Sequence, residues 1–462
     1  MLIETMALAR TGILLLWLVS VVLSSPVAIG QINGTSSPHY VFAHYMVCYA
    51  TYGATVGAYK REIQEAQAAG IDGFALNVGA WSGPDTYYKT RVELIYEAAE
   101  QLGTGFKLFF SVDLSNTNDI VNMVSSYAPR TNSFRYQGKI VLSTFSESNL
   151  DWNGVFHSLK DAGTGVFFVP FFYPNPTTEL PKYQDAVNLL NTYSNILDGL
   201  FLFGAAGLPY QLAQCNSNYT LAVHSAGKIF MAGVTPHYWG CKQPSIDRRY
   251  FEFDGGEGIS LQWHTVIASQ PDWVEIVTWN DFNESSYISP VEDPGQYFDG
   301  VVTPHRYSHK GYFELSKHYI AWFKNGREPV IQNDALYYFY RTHSKNSVAS
   351  DTNDVPVTWY LGNVQDTFNA TVFLIQPAQL TIASGVNRTT NSLPAGISAI
   401  RVPFAPGTQT MTLVRNGEQV FSVQGSNILS QIQSYDFFPA SGFAYGKPSP
   451  PVGFHASGSL QP

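Results

Sequence analysis

Residues 73–112 read GFALNVGAWSGPDTYYKTRVELIYEAAEQLGTGFKLFFSV. Gly73–Asn77 and Lys107–Val112 are short β-rich apolar runs. Between them Val92, Ile95, Ala99 and Leu102, at spacings of three, four and three, line one face of a helix that stops at Gly103. A strand, a helix and a second strand in this order specify parallel pairing with a right-handed crossover. The pattern recurs along the chain, with further strands expected at Val41–Cys48, Lys139–Ser143, Val166–Phe172, Gly199–Phe203, Ile229–Val234 and Trp273–Trp279. Eight such units in about 290 residues match an α/β fold of the (β/α)8 TIM type, whose usual size is about 250 residues. The competing doubly wound sheet would want Gly-x-Gly-x-x-Gly after the first strand, and the sequence has none there.

Outward from this region the texture changes at both ends. Arg10 precedes an apolar run from Ile13 to Leu23, and Ala28 and Gly30 form a small-residue cleavage site, so residues 1–30 read as a secretory signal peptide. That implies a secreted product, extracellular or associated with a cell wall. The run is short for a bilayer span and no later stretch approaches about twenty apolar residues, so no membrane association is expected after its removal. Residues 31–326 form the expected catalytic barrel. Beyond Gly326, alternating segments such as Thr358–Leu361, Thr371–Ile375, Ile397–Val402 and Thr410–Val414 give an all-β accessory domain, sandwich-like, over 327–440. Residues 441–462, rich in Pro, Gly and Ser, read as a flexible tail.

The 462 residues carry a formal charge of −9, which argues against nucleic acid as a partner. Charged residues are only 13% and aromatics 15%, about twice an ordinary aromatic share, so the chain must bury a large core, and most of the rings belong in it. A fraction of them is available for stacking on sugars. Of the three cysteines, Cys215 and Cys241 flank a strand and are expected to be bridged in an oxidising compartment, whereas Cys48 reads as a buried free thiol. No Cys-x-x-Cys or His-x-x-x-His spacing accompanies them, so no metal and no cofactor is expected. Sequons at Asn33, Asn218, Asn369 and Asn387 fit a glycosylated product, and a fifth begins at Asn283.

In such a barrel the chemistry belongs at the C-terminal ends of the strands. The candidates there are His44 and Tyr45 in the first strand, Asn77 ending the second, Asp113 ending the third, and His237 and Trp239 after the seventh. The eighth runs into Trp279-Asn280-Asp281-Phe282-Asn283-Glu284-Ser285, where Trp279 and Asn280 are further candidates for the substrate. Only this loop carries two carboxylates, and a proton donor paired with a base is what glycosidic hydrolysis requires. Asp-x-x-Glu also fits a helix capping box, although Ser-Ser-Tyr-Ile-Ser-Pro follows rather than an apolar helical run. With no Gly or Pro inside Asp281–Glu284, an open loop is expected, which would hold the carboxyl groups apart for an inverting reaction. A glycan on Asn283 would block this cleft, so none is expected.

The segments Phe42-Ala-His-Tyr-Met-Val, Gly70-Ile-Asp-Gly-Phe-Ala-Leu-Asn, Phe109-Phe-Ser-Val-Asp113 and Thr278-Trp-Asn-Asp-Phe-Asn-Glu-Ser-Ser-Tyr287 resemble glycoside hydrolase family 71, the fungal α-1,3-glucanases or mutanases. The resemblance implies a (β/α)8 barrel with an accessory β-domain and inverting hydrolysis of α-1,3-glucan, a wall polysaccharide. It assigns catalysis to Asp281 and Glu284. Cys48 stands where the family would have Gly, and Phe201-Leu-Phe-Gly204 lacks the Trp expected after the sixth strand. Both departures bear on subsite strength rather than on the reaction. The alternatives are a catalytically silent glucan-binding protein that keeps the aromatic cleft, and a hydrolase of α-1,4 or β-1,3 linkages. A monomer acting on polysaccharide is the expected state, with Glu284 as proton donor because its longer side chain reaches toward the leaving oxygen.

Overall fold

At Gly73 a Cβ would lie 2.2 Å from the carbonyl oxygen of Lys107, and at Gly199 one would lie 2.3 Å from that of Ile229. Glycine is therefore required where each of these strands begins against its neighbour. The computed structural model describes residues 39–446 apart from 84–86, 115, 147, 241–247, 293–306, 355 and 358–362. The expected signal peptide, Asn33, Cys241, the strand expected over 358–361 and residues 447–462 lie outside the described residues.

Strands and helices alternate as β1 (Tyr40–Met46), α1 (Val56–Ala68), β2 (Gly73–Val78), α2 (Tyr87–Leu102), β3 (Lys107–Val112), α3 (Thr117–Tyr127), β4 (Lys139–Thr144) and α4 (Trp152–Asp161). They continue as β5 (Val166–Phe168), α5 (Tyr183–Thr192), β6 (Gly199–Leu202), α6 (Pro209–Ser225), β7 (Ile229–Val234), α7 (Gly256–Ser269), β8 (Trp273–Ile276) and α8 (Lys310–Asn325). The helix read from the spacing of Val92, Ile95 and Ala99 buries those residues and ends at Gly103, whose φ of 61° is the left-handed stop that glycine supplies.

These eight strands pair in the order β5-β4-β3-β2-β1-β8-β7-β6, each of these pairings parallel, and the two-residue strand Arg135–Tyr136 adds antiparallel to β4. The result is a mixed α/β fold with a curled sheet. Between its end strands, Asp198 N donates to Phe168 O at 2.9 Å and Phe201 N to Pro170 O at 2.8 Å. Pro170 has no N–H to extend a ladder, and β5 stops at Phe168 rather than reaching Phe172. Inside the curl, Phe42, Phe109, Phe134 and Trp273 meet with ring centroids 4.9–6.0 Å apart. This floor is where much of the aromatic excess is buried.

The C-terminal region contributes β9 (Ala335–Arg341), β10 (Thr367–Leu374), β11 (Ala378–Ser384), β12 (Asn387–Leu393), β13 (Gly396–Pro403), β14 (Gly407–Arg415), β15 (Glu418–Ile428) and β16 (Pro439–Tyr445). They form two antiparallel sheets, β13-β10-β9-β16 and β12-β11-β14-β15. Leu336, Phe368 and Val372 of the first pack with Leu380, Ile382, Met411 and Leu413 of the second in one apolar core. β16 pairs with β9 along its whole length, so the tail expected from residue 441 begins inside a strand. This β-rich region docks on the parallel-sheet half. Tyr312 of α8 meets Phe339 of β9 at 4.4 Å, and Arg401 of β13 donates to both carboxylate oxygens of Glu257 at the start of α7, at 2.6 and 2.8 Å.

Cys215 is a free thiol buried on α6 against the parallel sheet, and burial pushes it up to about 12. The bridge expected between it and Cys241 is not part of the described structure. The sequon residue Asn369 is also buried, on β10 facing the parallel-sheet half, which leaves no room for the glycan expected there.

Candidate active site

β8 ends at Ile276, but the chain beyond it still bonds to both neighbours: Val277 N donates to Val234 O at 2.9 Å and Trp279 N to His44 O at 2.7 Å. It then folds back on itself, with Thr278 N donating to Ser286 O at 2.8 Å and Ile288 N to Thr278 O at 2.9 Å. Within this closed loop, Asp281 N donates to Thr278 Oγ1 at 2.7 Å, and Asp281 Oδ1 accepts from Asn283 N at 3.0 Å and from Glu284 N at 3.1 Å. Residues 281–284 are therefore a turn, and the open loop expected from the absence of Gly and Pro is corrected. The carboxylate of Asp281 supplies what those residues would have supplied, by capping the turn through its own side chain. No helix follows.

The two carboxylates are held by different partners. Asp281 is held by the backbone of its own turn. Glu284 Oε1 accepts from the Tyr238 hydroxyl at 3.0 Å, and Glu284 O accepts from Trp239 N at 2.9 Å. Tyr238 lies in a short antiparallel ribbon, Tyr238–Gly240 with Arg249–Phe251, that follows β7. Arg249 Nη2 donates to the same hydroxyl at 3.0 Å. Burial first, then the charge of Glu284, raises the phenol of Tyr238, so it remains a donor.

The expected substrate-contacting residues divide into two groups. His44, Asn77 and Asp113 come together on the inner face of the sheet. His44 Nδ1 lies 2.7 Å from Glu275 Oε1, and Asp113 is hydrogen-bonded to Asn77 and feels the charge of His44. Burial outweighs both partners and raises the carboxyl of Asp113. Cys48 is half-buried, its thiol pushed up to about 12 by burial and then by Asp281.

Tyr45, Trp279, Asn280, His237 and Trp239 lie elsewhere. Tyr45 and Trp279 point outward, toward α1, where the Tyr45 hydroxyl donates to Glu62 Oε1 at 3.0 Å and Trp279 Nε1 to Glu62 Oε2 at 2.7 Å. Asn280 is a clamp: its Oδ1 accepts from Met46 N at 2.8 Å and its Nδ2 donates to Met46 O and Tyr49 O. His237 pairs with Ser285 Oγ at 2.9 Å, and Trp239 packs on Phe437 and Phe438 of the β-rich region. All five are buried, as are His44 and Asn77.

The family model of glycosyl hydrolase family 71 matches residues 37–448. The chain belongs to that family. A glucan endo-1,3-alpha-glucosidase of Schizosaccharomyces pombe is 29% identical over 442 residues, 90% of this chain and 96% of that protein. A mutanase of Penicillium rubens is 29% identical over 423 residues, 87% of this chain and 88% of that protein. An ascus wall endo-1,3-alpha-glucanase of S. pombe is 27% identical over 398 residues, 79% of this chain and 86% of that protein. Among solved structures, a GH99 endo-alpha-mannosidase of Bacteroides thetaiotaomicron aligns with a TM-score of 0.47 at 15% identity, covering 62% of this chain and 98% of that one.

Three neighbours of the carboxylates in this family 71 chain were not anticipated from its sequence. Tyr238 and Arg249 contact or approach Glu284, and Tyr173, after β5, feels its charge. Phe203, after β6, faces His44 with ring centroids 5.1 Å apart. A signal for Tyr238 was available. In an extended segment alternate side chains face opposite ways, so Tyr238 must oppose His237 and Trp239.

Proposed function

We propose that this family 71 chain is a secreted α-1,3-glucan hydrolase in which Asp281 and Glu284 act as base and acid with inversion at the anomeric carbon. The observation that carries the reading is the turn after β8. It sets two carboxylates on separate supports at the C-terminal mouth of the parallel sheet, in a chain whose named relatives are α-1,3-glucanases and a mutanase along most of their length. Glu284 gives its proton to the glycosidic oxygen as the C1–O bond breaks. Asp281 takes a proton from the water whose oxygen forms the new bond to C1 on the opposite face. Two backbone donors on Asp281 suit the partner that acts as acceptor. Because the Cα atoms of the turn are close, the about 6.5–9.5 Å that an inverting pair needs must come from the divergence of the side chains, and their different anchors supply a reason for it.

The finer architecture we propose is a complete (β/α)8 barrel. It is supported by the eightfold alternation and by the two backbone bonds between the end strands. The signal-like residues 1–30 support secretion or wall association, and a monomer without nucleic acid or membrane partners fits the acidic charge. The test is sugar release from purified α-1,3-glucan beside α-1,4- and β-1,3-glucans. Release from the first alone supports the reading, and release only from another linkage overturns it.

A further inference from the structure

Arginine has only donors and a phenol has one hydrogen, and these facts fix the direction of the contacts behind Glu284. Arg249 Nη2 lies 3.0 Å from the Tyr238 oxygen, so that oxygen accepts. The single hydrogen of Tyr238 is then committed to Glu284 Oε1, 3.0 Å away. Tyr238 is buried, with 1% of its surface exposed, so solvent does not compete for this bond. Arg249 is in turn held by Glu179 Oε1 at 3.3 Å, and the ribbon pins the main chain of Glu284 through Trp239 N. Glu284 is thus fixed at both ends by one element.

We propose that Arg249 and Tyr238 are positioning residues that form a one-way hydrogen-bond chain onto Glu284 Oε1, orienting this carboxyl group and setting the pH range over which it holds the catalytic proton. The proposal rests on the reading of Glu284 as the acid. The bond to Oε1 and the main-chain bond from Trp239 N together fix the orientation of the carboxyl group. The same chain tunes the group. A donated hydrogen bond and a nearby guanidinium both favour the charged carboxylate, so they oppose the like charge of Asp281. Among the groups that bear on Glu284 are Tyr238 and Arg249 of the ribbon and Tyr173 of the segment after β5, with Asp281 in its own turn and Glu179 acting on Arg249.

The test is the pH dependence of kcat and KM for Tyr238→Phe and Arg249→Lys on a soluble α-1,3-linked gluco-oligosaccharide, with circular dichroism to confirm folding and Glu284→Gln as reference. Tyr238→Phe keeps the ring and removes only the donor. Loss of the bond raises the pKa of Glu284, so the alkaline limb of kcat should move up by about one pH unit, with kcat about tenfold lower and KM within about twofold. Arg249→Lys keeps the charge and should give a smaller shift in the same direction. A folded Tyr238→Phe with reduced kcat and both limbs unmoved would overturn the proposal, since a merely structural contact does that. Movement of the acidic limb instead would overturn Glu284 as the acid. Retained turnover in Glu284→Gln would show that the underlying reading, rather than the chain behind it, had failed.

Discussion

Asp281 caps its turn and is also the proposed base, and the two roles call for different substitutions. Asp281→Ala should lose both, about 1 kcal/mol of stability with the activity. Asp281→Asn keeps the capping oxygen. It should therefore hold its melting temperature while turnover falls by about 10²–10⁴-fold, as should Glu284→Gln; paired thermal melts and rate measurements check this. Asn283 should carry no glycan. Its Nδ2 donates to the Tyr49 hydroxyl inside the turn, whereas Asn387 is exposed at the start of β12 and open to modification. Glycopeptide mapping that finds a glycan on Asn283 of active protein would contradict the placement of this turn. The pair itself was legible in the sequence because two carboxylates in one post-strand loop are rare enough to single out. Its neighbours were less so, because choosing Tyr45 with His44, or His237 and Trp239 over Tyr238, required knowing which face of an extended segment turns inward, and sequence alternation leaves that choice to tertiary packing.

At the scale of elements, the parallel strands and the amphipathic α2 were readable because their period and their glycine stops are local properties. The end of β5 at Phe168, before Pro170, and the turn capped by Asp281 were not, since one depends on a missing donor and the other on a side chain replacing turn residues. The link between α1 and the loop after β8 was also hidden. Glu62 is fully buried, accepts from Tyr45 and Trp279, and is raised to about 7 by desolvation, against which those hydrogen bonds act. A carboxyl whose folded pKa lies above its unfolded value binds its proton more tightly when folded. Stability is then highest below about 4.5 and falls as pH rises toward 7, by about 3 kcal/mol for a shift of this size. Denaturant unfolding across pH 4–8 should show this decline in the parent chain. Glu62→Gln should flatten it over that window, and an unchanged slope would mean that Glu62 does not titrate there.

At the scale of the whole molecule, the β-rich region and the parallel-sheet half are packed at short range. A Cβ on Gly255, where φ is 60°, would lie 2.7 Å from Cβ of Phe339 and 2.8 Å from Cβ of Asn369, both in the β-rich region. Gly255→Ala should therefore cost about 3 kcal/mol through strain and overlap. Scanning calorimetry should show a single transition in the parent chain, and two well-separated transitions would contradict this coupling. The change of texture near Gly326 made the second region visible in the sequence, but not how tightly it would dock, because Gly255 and Gly256 carry no signal apart from their contacts. The central claim joins family 71 membership to this geometry: hydrolysis of α-1,3-glucan by an inverting pair. Its most direct test is time-resolved proton NMR of the first products released from an α-1,3-gluco-oligosaccharide. The β-anomer should appear first and mutarotate afterwards, with no release by Glu284→Gln; early appearance of the α-anomer, or equal release by that variant, would contradict the account.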